Sequence, residues 1–184
     1  QQSGKPIVAI LLPGLIRNYK HGTHWKRFVD SLFSAYTVRV YICVWSITGA
    51  VGNNFAQAAD RARGTAVDVE ELRRCYPAAV SVQLVDAVTE WVGTDSEGFD
   101  GRYINQWKMV QKCFELMEAE EEAMKGCPRS EYVIRARPDL RVACLPFALQ
   151  RGGGSKAYLA LQERLWGSDN FFFGDYNSMR TVCC

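Results

Sequence analysis

Apolar and polar positions change period several times along the chain, and each change marks an element. Ile7 to Leu12 is a continuous apolar run, as expected of a strand buried on both faces of a sheet. It runs into a loop rich in Gly, Arg, Asn, Lys and His, Pro13 to Gly22. Thr23 is placed as an N-cap. Trp25, Phe28, Val29, Leu32 and Phe33 then recur at helical spacing as one apolar stripe. Thr37 to Trp45, dense in β-branched and aromatic residues, predicts a second strand. Ser46 to Asn54, with two glycines and two asparagines, reads as a loop.

Asp68 and Glu71 form a capping-box pattern before a short helix containing Val69, Leu72 and Tyr76, closed by Pro77. Ala79 to Val85 is a third strand, and Gly93 to Gly101 a polar turn region. The longest helix is predicted over Tyr103 to Lys125, with Trp107, Val110, Phe114 and Met117 as its buried stripe and Gly126 and Pro128 as terminators. Glu118 and Glu120 to Glu122 are expected on its solvated face. Tyr132 to Arg135 is a fourth strand. Val142 to Leu145, Ala157 to Leu161 and Phe171 to Phe173 are shorter strand candidates around a flexible loop, Gly152 to Gly154. Strands alternating with helices predict an α/β protein with a mostly parallel sheet covered on both faces. In such sheets ligands bind beyond the carboxyl ends of the strands.

Length and charge narrow the picture further. The 184 residues suit one domain spanning 1–184, read as an excised piece or processed product because it begins at Gln1. A net charge of +2 offers no broad basic surface for nucleic acid, so any anion site must come from locally placed arginines. No apolar run reaches the length of a membrane span. Of seven cysteines, Cys43 and Cys113 sit at core-like positions, and no C-x-x-C pair supports zinc or a thioredoxin-like site. No N-x-S/T sequon is present. These features point to a reducing compartment, the cytoplasm, with the Golgi lumen as the alternative if a targeting segment has been removed.

Five places carry candidate chemistry. After the first strand come Pro13, Gly14, Arg17 and Asn18: a glycine that lets backbone approach a ligand, a guanidinium fork for phosphate, and an amide that donates and accepts. A lone G-K-S/T ending is absent, so this is no P-loop. After the second strand, Trp45 could stack on a base or cap the core, and Ser46 and Thr48 could bond a base edge or make the turn. After the fourth strand, Arg135, Arg137, Asp139 and Arg141 follow at alternate positions, which strand period puts on one face. Arginine rarely enters a core unless paired. The cluster fits a diphosphate, with a divalent metal on Asp139, or a salt-bridge network. Finally Asp169 precedes the aromatic run Phe171 to Phe173 and suits a catalytic base, or a turn aspartate; Asp175 is the second candidate. The helix opening at Asn105, Gln106, Trp107 and Lys108 offers amides and a cation. His21 and His24 are the only histidines, and neither a G-x-S-x-G elbow nor H-E-x-x-H exists.

Y-V-I-R-A-R-P-D-L, followed by S-D-N-F-F-F-G-D-Y-N-S-M, resembles the R-x-R-P-D-L and D-x-F-x-x-G pair of small GT-A-type glycosyltransferases. P-G-L-I-R-N-Y, V-W-S-I-T-G and N-Q-W-K-M-V-Q-K-C-F-E-L-M are supporting segments. The resemblance implies a GT-A-like three-layer α/β/α sandwich. It implies transfer of a hexosyl or deoxyhexosyl unit from a nucleotide-diphosphate sugar, a UDP-sugar before others, to a saccharide or glycoconjugate. Pro13, Gly14, Arg17, Asn18, Trp45, Thr48, Gln106, Arg135 and Arg137 would hold the donor, Asp139 would bind Mn²⁺ or Mg²⁺, and Asp169 or Asp175 would serve catalysis. The chain departs from the wider pattern in having no D-x-D; Arg137 stands at the position of its first Asp. Competing functions are a nucleotide-processing phosphohydrolase and a non-catalytic nucleotide- or carbohydrate-binding module.

Overall fold

A computed structural model describes residues 4–16, 23–48, 64–76, 78–90, 101–138, 157–161 and 167–184. Among these residues six strands form one sheet: β1 (Ile7–Gly14), β2 (Thr37–Trp45), β3 (Ala79–Val85), β4 (Tyr132–Ala136), β5 (Ala157–Leu161) and β6 (Gly167–Asp175). Their order is β3-β2-β1-β4-β6-β5. The first four in that order are mutually parallel, and β6 runs antiparallel to both β4 and β5. Mostly parallel pairing is what continuous apolar strands demand, because both faces must be covered.

The helices supply that cover. α1 (Thr23–Phe33) and α2 (Val69–Cys75) contribute Phe28, Val29, Leu32 and Leu72 to a core shared with Val8, Ile10, Leu12, Val40, Ile42 and Ile134. On the other face, α4 (Gly101–Ala123) and α5 (Tyr176–Cys183) bring Val110, Phe114, Met117 and Met179 against Ala9, Leu11, Tyr41, Cys43 and Val133. Alternate residues of β1 thus divide between the two cores, as a period of two requires. A single turn, α3 (Ala87–Glu90), follows β3.

β2, β3 and β5 occupy their predicted spans. Asp68 caps α2 as predicted, its carboxylate accepting from the N–H groups of Glu70 and Glu71 at 2.9 and 3.1 Å. α4 ends before Gly126, whose φ of +83° suits the left-handed exit that glycine tolerates. Cys43 and Cys113 are core residues, both 0% exposed.

Several expectations need correction. β6 is far longer than Phe171 to Phe173, because pairing with β4 and β5 carries poorly strand-forming residues into the sheet. Phe33 is exposed, so the α1 stripe stops at Leu32. Trp107 is 44% exposed rather than buried. The glutamates of α4 are not a uniformly solvated face. Glu121 is buried, and it accepts from Tyr41 Oη at 3.2 Å, Ser130 N at 3.0 Å and the Ser130 hydroxyl. It also pairs with Arg39 Nη1 at 3.2 Å. Glu120 accepts from Ser81 Oγ, and Glu118 from the Tyr176 hydroxyl. α3 and α5 have no counterpart in the sequence reading. The strand Val142 to Leu145, the loop Gly152 to Gly154, and Arg17, Asn18, Asp139, Arg141 and His21 lie outside the described residues.

Candidate functional site at the carboxyl edge

β1 pairs β2 on one side and β4 on the other, while β3 lies beyond β2. The order in which strands are added therefore reverses at β1, and the carboxyl edge between β1 and β4 is where open α/β sheets usually place a ligand crevice. Gly14 and Arg137 stand at its two banks. The register Leu11↔Arg135 fixes their relative level.

Gly14 has φ of +114°, with nothing within 4 Å of where a Cβ would stand. The strand thus leaves the sheet through a conformation that other residues rarely adopt, and it does so into open space. Pro13 precedes it inside the sheet and is buried. At the end of β2, Thr48 N–H donates to Thr65 O at 2.8 Å, and Val67 N–H to Ser46 O at 2.9 Å. Gly64 packs closely against this turn: a Cβ there would come within 2.9 Å of both Ile47 Cβ and Thr48 O. The composition of this segment carried no signal for Gly64. Of the two alternatives for Trp45, the core one describes its environment, since it is 3% exposed among the side chains facing α4.

The arginines of the fourth strand differ. Arg135 is 1% exposed and its guanidinium carbon lies 5.4 Å from the Phe172 ring centroid, a cation–π geometry. It therefore meets protein, not solvent, and fits the part of an organiser. Arg137, just past the last residue of β4, is only partly buried. Trp107 packs on the same Phe172 ring at 6.1 Å. Gln106 beside it is half-buried near the start of α4. Lys108 is engaged with the residue ending α3: its Nζ lies 2.8 Å from Glu90 Oε2 and donates to Glu90 O at 2.8 Å. Lys108 and then Lys112 hold the Glu90 carboxyl below its ordinary pKa.

β4 and β6 are direct neighbours, with Arg135↔Phe172 and Ala136↔Phe171 as Cα partners. The backbone of Asp169, two residues before Phe171, thus lies toward the carboxyl end of β4. Asp175 pairs with Tyr132 at the opposite end of that strand. It is the N-cap of α5, accepting from Ser178 N at 3.0 Å and Ser178 Oγ at 2.8 Å. Sequence reasoning also passed over Tyr76. Its buried hydroxyl donates to the Pro138 carbonyl at 2.7 Å, inside the R-A-R-P-D-L segment.

Among the described residues, no three His, Cys, Asp or Glu side chains come together as a metal site. A divalent cation here would need Asp139 together with phosphate oxygens of a ligand, the donor set that hard cations take. Also among the described residues, no helix is long and apolar enough to cross a membrane. Comparison with protein-family models, curated proteins and solved structures returned no match.

Proposed function

We propose that this chain is a glycosyltransferase catalytic domain with a GT-A-like three-layer α/β/α architecture. It would take a nucleotide-diphosphate sugar as donor and a saccharide or glycoconjugate as acceptor. One observation carries the reading. Arg135 and Ala136 of the R-A-R-P-D-L segment pair directly with Phe172 and Phe171 of S-D-N-F-F-F-G-D, toward the carboxyl end of β4 and next to β1, because β6 pairs back onto β4.

In this reading Gly14 lets the donor approach the backbone of β1, while Arg17, Asn18 and Thr48 complete the nucleotide side. Arg137 faces the negative charge that develops on the nucleoside diphosphate as the glycosidic bond breaks, where a fixed cation lowers the barrier most. Arg135 holds the strand end from below, through Phe172. A divalent cation on Asp139, Mn²⁺ or Mg²⁺, would add Lewis-acid stabilisation of the leaving diphosphate. Asp169 is assigned the task of accepting the acceptor hydroxyl's proton in an inverting transfer. Asp175, committed to the α5 cap at the far end of β4, is not assigned that task. Trp45 is assigned to the core.

A thermal-shift panel of nucleotide sugars, with and without Mn²⁺, tests the donor site, because a ligand that binds only the folded state raises the melting point. Stabilisation by one donor, followed by a glycosylated product when an acceptor is added, is the expected result. Asp139→Ala should lose turnover while retaining its melting point. Release of inorganic phosphate or nucleotide without transfer would favour a phosphohydrolase, and binding without any product a binding module. No response to any nucleotide sugar would sink the proposal.

A further inference from the structure

Resting on the proposed donor site, we infer that Tyr76 is a positioning residue for Arg137. The sheet's hold on this segment ends at Ala136, the last residue of β4 paired with β6. Pro138 has no N–H and so cannot itself donate a ladder bond. There a side chain from another element takes over. The Tyr76 hydroxyl crosses from the end of α2 and donates to the Pro138 carbonyl at 2.7 Å, both groups buried. Arg137 therefore lies between two backbone anchors, the Ala136↔Phe171 pair before it and the Tyr76 bond after it.

Tyr76 is itself held firmly. It is 2% exposed, in the core built on Val8, Ile10, Leu12 and Ile134. Its N–H donates to Leu72 O at 3.0 Å and its carbonyl accepts from Ala79 N–H at 3.2 Å. The next described residue, Ala78, has φ of 69°, a strained value for a side chain with a Cβ. A tyrosine fixed this way has little freedom to let its hydroxyl follow a moving strand end. A fork-shaped guanidinium meeting a diphosphate depends on that fixity, since its two donors must both be aligned. The bland alternative is a core tyrosine that merely satisfies its hydroxyl. That alternative predicts a loss of stability and no change in ligand affinity.

The test is calorimetric titration of UDP into the parent chain, Tyr76→Phe, Arg137→Lys and Tyr41→Phe, well below each melting point. Tyr41→Phe is the control, deleting another buried tyrosine hydroxyl, one bonded to Glu121. The expected result is UDP binding weakened on the order of 3- to 10-fold by Tyr76→Phe, at least as strongly by Arg137→Lys, and by less than about twofold by Tyr41→Phe. Parent-like affinity in Tyr76→Phe, or an equal loss in Tyr41→Phe, would overturn the inference and leave the donor site standing. Parent-like affinity in Arg137→Lys would remove Arg137 from that site and overturn the inference as well. If the parent binds neither UDP nor any nucleotide sugar, the proposed function falls and takes the inference with it.

Discussion

Replacing Glu121 by alanine should destabilise the fold severely, although it sits in a run of glutamates where acid-to-alanine changes are usually harmless. The side chain is 2% exposed and pairs with Arg39, itself only 12% exposed. It also accepts from Tyr41, the Ser130 hydroxyl and Ser130 N–H. Burial first, and then the neighbouring Glu121 carboxylate, raise the Tyr41 hydroxyl above its ordinary pKa, so it remains a donor. Truncation removes the acceptor for two buried donors of Ser130 and for the Tyr41 hydroxyl. Arg39 keeps one bond, to Pro128 O at 3.2 Å. Each orphaned buried donor costs about 1–3 kcal/mol. Breaking one side of a buried ion pair costs about 3–5 kcal/mol in all. For a chain of this length that is a fall in melting temperature of roughly 10 °C. The assay is urea unfolding of Glu121→Ala beside Glu122→Ala, its exposed neighbour, which should stay within about 0.5 kcal/mol of the parent. A lower midpoint at unchanged slope is the expected signature for Glu121→Ala. A loss below about 1 kcal/mol, or equal losses in both variants, would refute the reasoning.

Two further predictions follow from groups on the same side of the sheet. Burial pushes the thiols of Cys43 and Cys183 up to about 12, and that of Cys113 well above its usual value. Folded pKa values above the unfolded value of about 8.5 mean that their stabilisation is complete below that pH and is lost as pH climbs toward the folded values. Each thiol should remove about 1.4 kcal/mol per pH unit in that window. Urea midpoints at about pH 8 and pH 10 should therefore converge more closely in Cys43→Ala than in the parent; an unchanged gap would count against the assignment. Asp175→Asn should retain both melting point and transfer activity, because asparagine caps as well as aspartate, whereas Asp175→Ala should lose about 1 kcal/mol. Loss of transfer in Asp175→Asn at an unchanged melting point would return Asp175 to the chemistry.

The elements legible from sequence are those whose residues agree with their neighbours. The β-branched runs of β2 and β3 and the Asp68 cap needed no knowledge of distant partners. The misreadings have particular causes. Glu121 lies four residues after Met117 and seven after Phe114, on the very stripe that α4 buries; its charge outweighed its spacing in the reading. Trp107 lies about 80° from the centre of that stripe, where the Phe172 ring packs on it. Ser168, Asp169 and Asn170 join β6 between Gly167 and Phe172, both paired with β5, a decision made by tertiary pairing rather than local preference. α5 is short, poor in strong helix formers, and held by Asp175 and Met179. At the candidate site, the arginines of β4 were legible as residue types. That Arg135 is enclosed and Arg137 half-open was not, because strand period gives a face and not a depth. Nor could sequence place Tyr76 beside Pro138.

The strand order also has a consequence in time. β1 finds β2 early, across one helix, but its other neighbour, β4, lies far along the chain, and β6 farther still. Closing so long a loop carries an entropic cost that local contacts cannot offset beforehand, so such pairings form slowly and late. The crevice between Gly14 and Arg137 does not exist until β4 has docked against a partner made long before it. During synthesis, the amino-terminal half can collapse around β1, β2 and β3 while one side of β1 still exposes unpaired N–H and C=O groups. That interval is when the chain is most open to strand pairing with another copy of itself, and the docking of β4 ends it.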